Sequence, residues 1–320
     1  MSISNYPNGF ANGVTIRGVP IAIPNPGQVF WVNNSSVLAP GGKGGSNGND
    51  GSYQKPFLTV DYAIGRCTAD RGDVIYVMPG HNEIVSGASG IDFDVNGVTV
   101  IGLGSGTKQP KFNCTATTST VTVAADNVTI RNIKFRASTS AVARGLDISS
   151  NVTDTVIDGC TFDVLLTATD EFNVAIAVSA GCKRTIITNN IIDMGLGGAI
   201  AGIKLFGASD GATIDNNRIV GDYSVANING ITTLSTEVYI TNNFLLNGGS
   251  ANIGAQPVIE MLTATTGVVA KNLFICNVAT FAAQAVADTM IFSENFRTED
   301  IDSAKTSATT AVSVTVSADD

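Results

Sequence analysis

Val128-Thr-Ile-Arg-Asn-Ile-Lys-Phe135, Thr155-Val-Ile-Asp-Gly-Cys-Thr-Phe162, Thr185-Ile-Ile-Thr-Asn-Asn-Ile-Ile192, Ala212-Thr-Ile-Asp-Asn-Asn-Arg-Ile219 and Val238-Tyr-Ile-Thr-Asn-Asn-Phe-Leu245 are versions of one phrase. Their third residues, with Val100 before and Val269 after, give the anchors Val100, Ile130, Ile157, Ile187, Ile214, Ile240 and Val269, spaced 30, 27, 30, 27, 26 and 29. A second apolar column, Leu146, Ile176, Ile203, Ile231, Val258 and Val286, is spaced 30, 27, 28, 27 and 28. Two columns sharing one period mark stacked structural repeats. β-Branched residues fill the anchors, helix formers are sparse, and the L-x-x-L-x-L of leucine-rich repeats is absent. Each repeat therefore reads as one coil of an all-β, right-handed parallel β-helix of about eight coils.

Alternation within the phrase sorts its residues. Five residues after the anchors stand Phe135, Phe162, Ile192, Ile219, Leu245 and Phe274, apolar at every rung, so both positions turn inward. Three residues after the anchors stand Asn190, Asn217, Asn243 and Asn272. Four asparagines in register at a bend predict a ladder in which side-chain amides bond one another and the turn backbone.

The solenoid is expected over residues 56–296, with a capping helix over 59–67 in which Val60, Ala63, Ile64 and Cys67 form an apolar stripe. Such a cap covers an end that would otherwise invite pairing with other chains. Residues 1–40, broken by Gly and Pro, read as an extended arm whose one strand, Gln28–Val32, holds the sole tryptophan. Tyr6, Phe10, Ile16, Arg17, Val19, Phe30 and Trp31 are its candidate anchoring contacts. A Gly/Asn/Ser linker over 41–55 joins arm to solenoid. Residues 297–320 leave the period and read as a pairing strand, through Val312–Val316, or as a disordered tail.

Composition narrows the function. A chain of 320 residues is long for one compact domain, which suits an elongated fold. Charged residues are 14% against the usual ~25%, so much of the surface is expected to be covered. A net charge of −9 argues against a nucleic-acid partner, and no apolar run is long enough to span a membrane. Cys67, Cys114, Cys160, Cys182 and Cys276 lack paired or metal-type spacing and read as buried thiols. No motif calls for a cofactor.

The run Lys55-Pro-Phe-Leu-Thr-Val-Asp-Tyr-Ala-Ile64, followed by Arg71-Gly-Asp-Val-Ile-Tyr-Val-Met-Pro-Gly80, resembles the opening of pectin-lyase-like β-helix proteins. The resemblance covers about residues 55 to 296 and speaks to fold rather than activity. The segments Tyr6–Phe10, Gly13–Ile21 and Pro26–Val32 are similar to the N-termini of tailed-phage virion proteins. That resemblance implies a capsid decoration or head appendage held to capsid or other virion proteins through residues 1–40. It also implies a homotrimer, located on the virion and assembled in the host cytoplasm.

Enzymatic chemistry would need carboxylates on an outward strand face. The column after each anchor reads Arg131, Asp158, Thr188, Asp215, Thr241 and Ala270; the column after the second inward position reads Arg136, Asp163, Asp193, Val220, Leu246 and Ile275. With coils about 4.8 Å apart, Asp163 and Asp193 would approach the ~5 Å of a retaining glycosidase pair. They are the weak catalytic candidates, and alternatively the weak candidates for a structural cation site. Ion pairing of Arg131 with Asp158 and Arg136 with Asp163 is the preferred expectation. The leading reading is thus a non-enzymatic virion structural protein. Its alternative is a tailspike-type protein that binds or depolymerises a host surface glycan.

Overall fold

The computed structural model describes the backbone at 15–16 and 19–20, and the chain at 27–35, 44–165, 170–195, 198–248, 256–276, 285–287 and 289–298. Its strands stack into three parallel sheets of ten, nine and eight strands. Each coil gives one strand to each sheet in turn, and the eight-stranded sheet spans seven coil-to-coil steps. This is a parallel β-helix, the architecture implied by the pectin-lyase-like resemblance.

The anchors stack as one column of the first sheet: Val100 against Ile130, then Ile157, Ile187, Ile214, Ile240 and Val269. The second inward column, Phe135 through Phe274, runs in register along the second sheet. Both columns are buried and form the core. Phe112, Phe135 and Phe162 stack along it, with centroids 5.6 and 4.6 Å apart.

The third sheet departs from the even spacing. Leu146, Ile176 and Ile203 stack, but Ile203 then pairs with Ile228, Ile228 with Ile259 and Ile259 with Ala285. Ile231 is instead 43% exposed, Val258 precedes the paired residue, and Val286 lies opposite Glu260. The cause is loop length. The bend between the first and second sheets keeps its length, whereas the next connection varies, from Gly221–Ala226 in one coil to Asn247–Ile259 in the following one.

That bend is fixed by asparagine. Asn190, Asn217, Asn243 and Asn272 are buried, and Asn295 adds a further rung. Each Oδ1 accepts from the backbone N–H and the Nδ2 of the preceding asparagine, at 2.9–3.0 Å. Each Nδ2 also donates to an anchor carbonyl of the coil before it: Ile157, Ile187, Ile214, Ile240 and Val269. The ladder begins where the Cys160 N–H donates to Asn190 Oδ1 at 2.8 Å. The residue before each rung is left-handed: Gly159 at φ 63°, Asn189 at 58°, Asn216 at 52°, Asn242 at 55°. Asparagine and glycine tolerate that conformation best, which explains the Asn-Asn pairs.

The N-terminal end differs from the expected division. Val29–Val32 is the first rung of the ten-stranded sheet, pairing in parallel with Val74–Val77, with Phe30 and Val32 in the core. Phe30 and Trp31 therefore belong to the solenoid rather than to an arm extending to residue 40. The described part of the 41–55 segment is no free linker: Trp31 N donates to Gly51 O at 2.7 Å, Gly45 N to Asn33 O and Phe57 N to Trp31 O. Backbone pairing joins Thr15–Ile16 to Val19–Pro20, whereas Tyr6, Phe10 and Arg17 lie outside the described residues.

The helix spans Val60–Ile64, shorter than 59–67, because Thr59 caps its start and Gly65 closes its end. Val60, Ala63 and Ile64 are buried, while half-buried Cys67 bonds Ala63 O. The other cysteines are buried thiols, and burial pushes Cys160 up to about 12. At the far end Phe296–Thr298 stacks on Leu273–Cys276, so the solenoid runs past 296; residues 299–320 lie outside the described residues.

Asp73 ties this opening together. Its oxygens accept from Gln28 N, Thr68 N and the Arg71 fork at 2.6–2.7 Å. Burial alone would raise its pKa; Arg71 and the two backbone donors outweigh burial and hold it below its ordinary value.

Two outcomes follow from these bonds. Asn217→Ala removes the acceptor for the N–H and Nδ2 of Asn190 and the donor to Ile187 O, leaving buried groups unpaired. It should cost about 3 kcal/mol or more in urea unfolding, against about 1 kcal/mol for Asn216→Ala at the neighbouring left-handed position. Asp73 has a depressed folded pKa, so its stabilisation is complete above the unfolded value of about 3.9 and fades as pH falls through the folded one. The acid limb of a stability profile should therefore flatten in Asp73→Asn, at the cost of lower stability near neutrality.

Candidate functional site

The outward faces hold the chemistry. On the first sheet Arg131 lies opposite Asp158, with Nε 3.3 Å from the carboxylate. Asp158 Oδ1 also accepts from Thr188 Oγ1 and Asn189 Nδ2 of the next coil, and Asp215 Oδ1 accepts likewise from Thr241 and Asn242. These aspartates lock one coil to the next.

On the second sheet Asp163 accepts from Arg136 Nε at 2.8 Å and from Lys134 Nζ at 3.2 Å, with Arg136 Nη2 completing the fork. Asp193 is exposed and accepts from Gly195 N, closing its own turn. Pairing between their strands ends at Phe162–Ile192, one residue before the two aspartates. Asp163 thus sits among cations and Asp193 on a turn, rather than as two free carboxylates on adjacent rungs. The same cations do for Asp163 what a bound metal ion would do, and among the described residues no group of three or more His, Cys, Asp or Glu side chains is arranged to hold a metal.

A different feature emerges one column earlier. Residues preceding the second inward position stack as Lys111, Lys134, Thr161, Ile191, Arg218, Phe244, Leu273 and Phe296. Lys111, Lys134 and Arg136 line a pocket of about 330 Å³ with Asn82, Thr107 and Gln109. Further along, the same face turns mainly apolar: Ile191, Phe244, Leu273 and Phe296 in that column, interrupted by Arg218, with Val220, Leu246 and Ile275 following Asp193 beside them. Ile191 and Phe296 are 46% and 41% exposed. The lysines are legible in the sequence in the column before the second inward residue, and the apolar run in that column and the one after it together.

The third sheet adds a cluster that carboxylate searching missed. Arg144 binds Asp147 at 2.7 Å and lies 4.3 Å above the Phe206 ring, with Lys204 Nζ 4.9 Å from the same ring. Arg144 stands in register with Val174 and then Ala201, and Phe206 follows the end of the strand Ala201–Leu205, so no repeated residue type marks either. Trp31 packs between Tyr53 and Tyr76, with centroids 5.0 Å from each, on the first rung of the solenoid.

No family model matches the chain, and no curated protein matches it. Among solved structures, Escherichia coli YbhC is similar in fold: TM-score 0.51 and 12% identity over 87% of each chain. A rhamnogalacturonan lyase aligns over 84% of this chain and 87% of its own with TM-score 0.34 and 13% identity. At these identities the likeness to YbhC concerns the fold alone.

The contrast between the two aspartates is measurable. Asp163→Asn, which leaves Lys134 and Arg136 without their anion, should lower stability by about 1 kcal/mol, and Asp193→Asn by less than about 0.5 kcal/mol. The midpoint of urea unfolding for each variant checks this.

Proposed function

We propose that this chain is a non-enzymatic structural protein of a tailed-phage virion, a capsid decoration or head appendage that displays a β-helix. The observation that carries the reading is the apolar outer face of the second sheet over its last coils, Ile191 to Phe296. An outward sheet face in which Ile, Val, Phe and Leu are broken only by Asp193 and by Arg218, which packs over the Phe244 ring, is unlike the polar face a free solenoid presents to water, and it suits burial against another chain. It also accounts for the low charge of the sequence. The outward carboxylates Asp158, Asp163 and Asp215 are engaged between coils, which favours scaffolding over cleavage.

In this reading the face joins copies of the chain into a homotrimer. The N-terminal segment, whose residues similar to virion proteins lie largely before Val29, meets the capsid or another virion protein. Assembly would take place in the host cytoplasm. A second reading, a tailspike-type protein that binds or cuts polysaccharide, draws on the Arg144–Lys204–Phe206 cluster, a half-exposed aromatic flanked by cations. That arrangement suits sugar contact more than bond cleavage.

Light scattering on the purified full chain should give the mass of an oligomer. Paired Leu246→Lys and Ile275→Lys substitutions should weaken association by at least about tenfold. A wild-type chain that is monomeric at high micromolar concentration would remove the assembly reading. Deleting residues 1–26 should abolish incorporation into particles while leaving the oligomer intact.

A further inference from the structure

The pocket on the basic half of the second sheet has no part in the assembly reading. Lys111 and Lys134 are direct partners on adjacent strands, so their stems stand about 4.8 Å apart. Like charges stacked across a ladder oppose folding unless an anion lies between them. Asp163 is the anion for Lys134 and Arg136. Among the described residues no carboxylate lies within ion-pair distance of Lys111. Three cations and one carboxylate leave the site two charges positive on a chain whose net charge is −9. Burial first, then Arg136 and less strongly Lys134, lower the Lys111 ammonium below its ordinary value, while Asp163 opposes them without cancelling them.

The rest of the lining is neutral and polar. Asn82 and Thr107 border the cavity, and Gln109 is held rigid by Asn132 Oδ1 and the Thr161 hydroxyl, both at 3.2 Å. At about 330 Å³ the cavity is at the small end of ligand sites. Cations at one wall and amide and hydroxyl groups at the others suit a ligand that carries one oxyanion on a hydroxyl-rich body. His81, which also lines the cavity, has both ring nitrogens engaged in the scaffold: Nδ1 accepts from Asn34 N, and Nε2 faces Glu83 at 2.9 Å.

We infer that Lys111, Lys134 and Arg136 form a binding site for an acidic sugar unit, its carboxylate or phosphate held between the two lysines and its hydroxyls facing Asn82, Thr107 and Gln109. The site is independent of the assembly reading, and its test uses the isolated full chain.

Isothermal titration at low salt with glucuronate, glucose 6-phosphate, glucose and inorganic phosphate separates the possibilities. At least one acidic sugar should bind, glucose should not, and the stronger of the two acids identifies the oxyanion. Lys111→Gln should weaken binding about tenfold or more, Lys111→Arg should restore most of it, and Lys271→Gln on the far coils should change nothing. In the unmutated protein, the NMR titration midpoint of isotopically dimethylated Lys111 should rise when the ligand is added, a readout that does not depend on a variant folding. Failure of both acids to bind, or binding that neither shifts Lys111 nor weakens in Lys111→Gln, overturns the site. Inorganic phosphate binding as tightly as the sugar acids overturns its assignment to a sugar.

Discussion

Every coil of this protein must lie on the one before it at a single spacing, because its backbone N–H and C=O groups find their partners in the neighbouring coils. Within that constraint a side chain has three destinations: inward, where it must match the volume above and below; outward, where it meets the same column of the next coil; or into a bend. The asparagine ladder solves the third case. A buried amide has two donors and an acceptor with two lone pairs. At Asn217 the ladder uses both donors and accepts twice at the oxygen, so a polar side chain is buried without an unpaired atom.

The parts of the fold legible in the sequence are those this constraint repeats. Ile130 and its successors are bound to a fixed bend, so their period survives translation into structure. The third-sheet column fails at Ile231 because the preceding connection is free to change length, and no count of residues can follow it. Gln28–Val32 reads as a strand, but its place as the first rung of the solenoid is hidden for a related reason. In sequence it is separated from Val74–Val77 by residues 33 to 73, well over one period, which hides the repeat although Phe30 stacks on Ile75 like any other anchor. The candidate site was half legible: Arg136 and Asp163 follow from the column after the second inward position, whereas Lys111 and Lys134 emerge only when the column before it is read as well. Arg144 shares its column with Val174 and Ala201 and Phe206 lies past its strand, so only their spatial meeting reveals them.

Charge and apolarity are segregated along one sheet. The second sheet begins with cations and ends with Leu246, Leu273 and Ile275 facing outward. A solenoid makes such zoning simple, since a face is written one coil at a time and each coil is almost independent of those beyond its neighbours. One face can thus carry a polar ligand near one end and a protein partner near the other, with a single core beneath both.

The ladder and the aromatic stack hold different coils. Phe112, Phe135 and Phe162 fill the core where the bend carries Ile133 or Cys160, and the asparagines take over from Asn190 onward. The molecule therefore has two mechanical materials in series. Pulled from its C-terminal end, the asparagine-held part would unwind in steps of similar force, one coil per step, each breaking the same set of amide bonds. At Cys160 the steps would stop being equal, because the remaining coils share an interlocked aromatic spine and the Asp73-tied opening. Such a shaft yields gradually from its C-terminal coils while its N-terminal coils stay folded.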